Sequence, residues 1–127
     1  MRNRIGTDLV EVARVRDAVE RTGTAFLDRV YTKGEQSYCD SRGVHRFECY
    51  AARFAVKEAL AKALGTGIGE FVSFGEIEII HDSLGKPEVR LCGGTLEYFT
   101  RNFPDMQIDV SLSHTAALAL ATVLITG

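Results

Sequence analysis

The stretch RFECYAARFAVKEALAKAL, residues 46 to 64, constrains the fold more than any other part of this chain. Alanines at 51, 52, 55, 59, 61 and 63 favour a helix and let other elements pack closely against it. At 100° per residue, Val56, Ala59, Leu60, Ala63 and Leu64 fall on one arc, and Glu58 and Lys62 fall roughly opposite. Gly65 supplies the stop. The spacing therefore predicts one long helix from about Arg46 to Leu64, with an apolar arc that the rest of the chain must cover.

Strands supply most of that cover. Residues 2 to 8 read as a short strand ending at Asp8. A helix follows, with Val12, Val15 and Val19 at helical spacing and Gly23 as its end. A second short helix is expected over Ala25 to Val30. Thr32 with Glu35 three residues later is a capping-box pattern opening a third. After the long helix, EIEIIHD and EVRLCG flank the turn SLGKP and predict a hairpin. TLEYFTRNF predicts a helix with Leu96, Phe99 and Phe103 on one face. In MQIDVSLS, Met106, Ile108, Val110 and Leu112 alternate with polar residues, as in a half-buried strand. AALALATVLI is apolar on both faces and predicts a central, covered strand. The whole reads as an α+β domain spanning residues 1–127, a largely antiparallel sheet against one long helix.

Bulk properties exclude several classes. A chain of 127 residues with 46% hydrophobic and 25% charged residues can bury a core as one domain. A net charge of −2 argues against nucleic-acid binding. The apolar segment from Ala116 to Ile125 is too short to span a bilayer, and the N-terminus lacks a signal peptide's apolar stretch, so a cytoplasmic protein without membrane attachment is expected. The three cysteines, Cys39, Cys49 and Cys92, form no zinc pattern, and their odd number suggests free thiols.

Several residues could carry chemistry, each with a plain alternative. Asp8, placed between strand and helix, could cap the helix or bind a hard cation. Glu58 could be the second carboxylate of such a site, or merely pair with Lys62 one turn on, an arrangement worth about 0.2–0.5 kcal/mol. His114, in SLSHTAA, could be structural or could join neighbouring hydroxyls in holding a phosphate. GTGIG and SLGKP are glycine turns that could also approach a nucleotide, though neither has a Walker or Rossmann pattern.

The joint order of IGTDLVEVARV, RFAVKEALAKALGTG, LGKP and LSHTAALALATVL resembles the holo-[acyl-carrier-protein] synthases, the small bacterial 4′-phosphopantetheinyl transferases. The resemblance runs over essentially the whole chain, and its G-x-D and K-E-A-x-x-K elements are the specific part. It implies transfer of phosphopantetheine from coenzyme A to a serine of apo acyl carrier protein for fatty acid biosynthesis, releasing adenosine 3′,5′-bisphosphate. It places a magnesium ion, or manganese, on Asp8 and Glu58, and makes Asp8, Glu58 and Lys62 the catalytic group. The base for the serine is either Glu58 or a metal-bound water. The resemblance also implies coenzyme A contacts from Lys62, Gly65, Gly85, Lys86, Pro87, His114 and Thr115, with Arg46 and Arg53 as further phosphate candidates. Carrier docking falls on Arg14, Arg21 and Phe54. Between Glu11 and Arg29, four arginines face four acids, so that surface is basic only by arrangement. Thr7 and Val56 depart from the family's usual residues, conservatively. Two other readings are a transferase serving a polyketide or other secondary-metabolite carrier, and a non-catalytic module binding carrier or nucleotide. Larger members hold two such halves in one chain, so a single-half chain is expected to form a homotrimer with sites between subunits.

Overall fold

In the computed structural model, which describes residues 3–127, the elements run β1 (Arg4–Glu11), α1 (Val12–Thr22), α2 (Thr24–Val30), α3 (Lys33–Asp40), α4 (Arg46–Leu64), β2 (Ile77–His81), β3 (Pro87–Leu91), α5 (Gly93–Asn102), β4 (Gln107–His114) and β5 (Leu118–Thr126). Short 3-10 turns at Gly43–His45 and Phe74–Glu76 lead into α4 and β2. One sheet has the order β1-β5-β4, and β2 and β3 form a separate hairpin. Every strand pair is antiparallel.

The long helix has the expected bounds and ends on Gly65 at φ 83°, in the left-handed region. It is more deeply enclosed than its apolar arc predicts. Val56, Ala59, Leu60, Ala63 and Leu64 are buried, but so are Tyr50, Ala51, Ala52, Arg53 and Lys57 on other faces. The sheet covers one side, with Ala121, Val123 and Ile125 of β5 in the shared core, while α1, α2 and α3 close the N-terminal half. Glu58 and Lys62 lie on the stripe that stays accessible.

The close approach of β1 to α4 explains the glycine of G-x-D. A Cβ on Gly6 would overlap the Ala59 carbonyl oxygen and sit 2.7 Å from the Ala63 nitrogen. Strand and helix meet there backbone to backbone, two residues before Asp8.

The capping box of α3 forms as expected: Thr32 Oγ1 accepts from the Glu35 nitrogen at 3.1 Å, and Glu35 Oε1 accepts from the Thr32 nitrogen at 3.0 Å. Glu35 does more than cap. Its Oε1 also accepts from Lys57 Nζ at 2.7 Å, and its Oε2 from the Ile79 nitrogen at 2.9 Å. Lys57 Nζ, fully buried, donates in addition to the Val30 and Phe74 carbonyls at 2.6 and 3.0 Å. Burial lowers the Lys57 ammonium from its ordinary pKa, and Glu35 opposes that shift.

Five expectations need correction. The first strand runs past Asp8 to Glu11, and the Arg2 end of the expected span lies outside the described residues. Asp8 is therefore mid-strand and caps nothing; α1 begins after Glu11 without a side-chain cap. Leu96 is exposed, and Thr95 is buried instead, because Glu76 accepts from the Gly94 and Thr95 nitrogens and holds the first turn of α5 inward. Cys39 and Cys49 are disulfide-bonded, with Cα atoms 5.4 Å apart, since α3 docks on α4; Cys92 alone is free among the described cysteines. Finally, β5 is central but covered on one face only. Ala119, Ala121, Val123 and Ile125 are fully buried, whereas Leu118, Leu120 and Leu124 on the other face remain 38–44% exposed.

Candidate active site

On β1, Gly6, Asp8 and Val10 alternate toward α4. Asp8 thereby meets the accessible stripe of the helix. Lys62 Nζ donates to Asp8 Oδ1 at 2.9 Å and to the Thr7 carbonyl at 3.0 Å. The simple helical pair between Glu58 and Lys62 is thus not what forms; the lysine crosses to the strand. Glu58 is half-buried one turn earlier. Burial, and then the charge of Asp8, raise its pKa above the ordinary carboxylate value, against the opposing pull of Lys62.

Two carboxylates, one of them paired with an ammonium, form an oxygen-only donor set that suits a hard divalent cation. Among the described residues no three His, Cys, Asp or Glu side chains converge, so a cation here would take two protein ligands and fill its shell with water or substrate oxygens.

The raised pKa has a testable consequence for stability. A carboxylate that protonates more readily when folded costs stability at pH values where it is charged in both states. That cost disappears below the unfolded value, near 4.5. In chelator, Glu58→Gln is expected to melt at higher temperature than the parent at pH 7, with the difference closing as the pH falls through the raised folded value and gone below 4.5. Thermal denaturation across pH checks this, and a variant less stable at pH 7 would contradict it.

Asp8 and Glu58 line a cleft of about 610 Å³ whose other walls include Arg14, Arg21, Phe26 and Phe54. The three residues expected to dock a carrier therefore share the cleft with both carboxylates. Asp17 and Glu11 are in it too, so its charge is mixed. Phe54 stacks between Phe26 and Phe74 at centroid distances of 6.1 and 5.4 Å, giving the cleft a rigid aromatic wall.

The remaining candidates lie elsewhere. His114, ending β4, donates from Nδ1 to Glu48 Oε1 at 2.9 Å. Glu48 is ten residues before Glu58, about 15 Å along the helix axis. Thr115 Oγ1 accepts from the Ala117 and Leu118 nitrogens at 3.2 and 3.1 Å, shaping the β4–β5 turn. In the β2–β3 turn, Asp82 Oδ1 accepts from the Leu84 and Lys86 nitrogens, Gly85 takes φ 86°, and Pro87 opens β3. Lys86 Nζ lies 3.8 Å from Asp109. Arg46 pairs with Asp40 at 3.2 Å. Arg53 is only 4% exposed; its guanidinium lies over the Tyr38 ring and donates to Cys49 Sγ, so it is withdrawn from the surface. Gly65 is the exception: it ends α4 within a turn of Lys62, near Arg4. One chain thus brings Asp8, Glu58 and Lys62 together beside the residues expected to dock a carrier, and holds His114 and Lys86 on other elements.

Two polar residues escaped the sequence reading. Lys57 looked like an ordinary helix lysine. Glu48 carried one local signal, its spacing of three from His45, which also donates to it at 2.9 Å. His45 and then His114 lower the Glu48 pKa, against the effect of burial.

Comparison with known proteins gives the family and the fold. Residues 4–121 match the 4′-phosphopantetheinyl transferase superfamily. The chain is 49% identical over 121 residues to the holo-[acyl-carrier-protein] synthase of Ruminiclostridium cellulolyticum, covering 95% of this chain and 90% of that one. It is 43% identical to the synthase of Gloeobacter violaceus, covering 98% and 93%. Among solved structures, the holo-[acyl-carrier-protein] synthase of Neisseria meningitidis superposes with a TM-score of 0.89 at 35% identity, over 98% of each chain. That of Helicobacter pylori, in complex with coenzyme A, gives 0.82 at 32% identity, over 96% of this chain and 99% of that one. The family match and the fold thus define a phosphopantetheinyl transferase. Within that class, the chain belongs to the holo-[acyl-carrier-protein] synthase family, which sets aside a purely binding module. Among the described residues, no helix is long and apolar enough to cross a membrane.

Proposed function

We propose that this enzyme moves 4′-phosphopantetheine from coenzyme A to a serine of apo acyl carrier protein at the Asp8–Glu58–Lys62 cluster, serving fatty acid biosynthesis in the cytoplasm. The observation that carries the reading is that Asp8, bonded by Lys62, and Glu58 line one cleft with Arg14, Arg21 and Phe54. Asp8 and Glu58 hold a magnesium or manganese ion, which when bound neutralises charge on the pyrophosphate. The serine oxygen attacks phosphorus, the bond to the departing adenosine 3′,5′-bisphosphate breaks, and the serine proton leaves. Glu58, or a water held at the site, receives that proton. Lys62, tethered to the Thr7 carbonyl, donates to the leaving phosphate. Arg14 and Arg21 orient the acidic carrier.

The site is completed by a second copy of the chain. Support comes from the open sheet face. Ile5 and Leu9 of β1 are 69% and 60% exposed, and stand in register with Leu124 and Leu120 of β5. Such a contiguous apolar surface calls for a protein partner. Three copies form a homotrimer, with Asp8, Glu58 and Lys62 from one subunit and Lys86 and His114 from its neighbour.

Asp8→Ala and His114→Ala chains are each expected to be weak alone. Unfolded and refolded together, they create some interfaces with an intact metal side and an intact histidine side, and activity rises above either parent. Transfer is read as the mass gain of the carrier. If mixed assembly is verified and activity does not return, or if light scattering finds an active monomer, the shared site is wrong.

A further inference from the structure

Glu48 sits in the first turn of α4, and each of its carboxylate oxygens is engaged by a different imidazole. Oε1 accepts from His114 Nδ1 and Oε2 from His45 Nδ1, both at 2.9 Å. His114 arrives from the end of β4, 66 residues away, and His45 from the 3-10 turn before the helix. An acidic residue in a first helical turn is accounted for by the helix dipole, and the His45 contact by its i,i+3 spacing. Neither accounts for His114, which the β4 strand brings across to the same carboxylate.

The geometry selects which nitrogen of each ring faces outward. With Nδ1 committed to Glu48, the free nitrogen is Nε2, at the far side of the ring. The His114 and His45 side chains are 40% and 64% exposed, whereas that of Glu48 is only 16% exposed. The two rings thus stand in front of the carboxylate and shield it. A bare carboxylate would repel a phosphate, but this one presents two imidazoles instead. When protonated, each Nε2 donates to a phosphate oxygen.

We propose that Glu48 is a positioning residue for coenzyme A: it fixes His114 with Nε2 outward and brings His45 to the same phosphate as a second imidazole. The inference rests on the reading of His114 as a phosphate contact. The ligand chemistry is a phosphate ester, and coenzyme A offers two, its 3′-phosphate and its pyrophosphate.

Steady-state kinetics on the full-length enzyme, with coenzyme A and with dephospho-coenzyme A, test this. Glu48→Ala is expected to raise KM for coenzyme A about tenfold while kcat stays within about twofold. Glu48→Gln, which keeps an acceptor oxygen, recovers part of the loss. His45→Ala raises KM about threefold. In a His114→Ala background, Glu48→Ala adds no more than the roughly threefold that His45 supplies, because Glu48 acts only through the two imidazoles. A loss confined to coenzyme A identifies the 3′-phosphate; an equal loss on both substrates identifies the pyrophosphate. The proposal is overturned if His114→Ala raises KM and Glu48→Ala does not, if their effects multiply independently, or if Glu48→Ala lowers only the melting temperature. An unchanged KM in His45→Ala removes the second imidazole. An unchanged KM in His114→Ala brings down the phosphate reading of that histidine, and this inference with it.

Discussion

Alanine at Asp8 or at Glu58 is expected to lower kcat roughly 1000-fold, a loss of about 4 kcal/mol of transition-state stabilisation, and to leave the protein folded. The two halves of that expectation have separate causes. In the proposed site both carboxylates would be needed for the oxygen donor set, so on that reading neither variant retains a workable site. Neither carboxylate is needed for the fold. The Asp8 pair with Lys62 is partly open to water, where such pairs contribute little, and Lys62 keeps the Thr7 carbonyl. Glu58, crowded by burial and by Asp8, gains from losing its charge. Melting curves and the mass gain of apo carrier protein measure the two halves independently. Full turnover in excess chelator, or in either variant, would remove the divalent cation from the reaction.

The largest loss of stability is expected one residue away. Lys57→Met is expected to cost about 3–5 kcal/mol, as for other buried pairs broken from one side. That is a large fraction of the ~5–15 kcal/mol by which a domain is ordinarily stable. The variant leaves the buried Glu35 carboxylate without its ammonium, and leaves the Val30 and Phe74 carbonyls without a donor. Glu35→Gln is no remedy in the parent: its amide would turn a donor toward either Lys57 Nζ or the Ile79 nitrogen. Urea denaturation gives the number. A cost under about 1 kcal/mol would mean that water reaches the cavity and replaces the lysine.

What could be read from the residues alone follows the range of the interactions. The α4 bounds were legible because an alanine run and a terminal glycine act locally. So was the α3 cap, since Thr32 and Glu35 are three residues apart. The alternation of Met106 to Leu112 marked a strand by its period. Lys57 was not legible, because its burial depends on carbonyls at positions 30 and 74 and a carboxylate at 35. The Cys39–Cys49 pair depends on how α3 docks, and the exchange of Leu96 for Thr95 depends on Glu76 reaching α5. The site lay between these cases. Local spacing suggested only a helical pair between Glu58 and Lys62, and it was the resemblance in motif order that joined them to Asp8, 50 residues earlier.

The contact at Gly6 sets a limit on how such a site can change by mutation. Because strand and helix touch through their main chains there, the gap that Asp8 and Glu58 must bridge is set by two backbones rather than by a side chain that selection could enlarge or trim. An exchange between Asp and Glu at position 8 or 58 changes the reach of one carboxylate, but the spacing of the two main chains stays as Gly6 sets it. A change in that spacing would require α4 to be re-seated as a body, with compensating changes in the sheet and the three small helices at once. Such a route is nearly closed to stepwise adaptation.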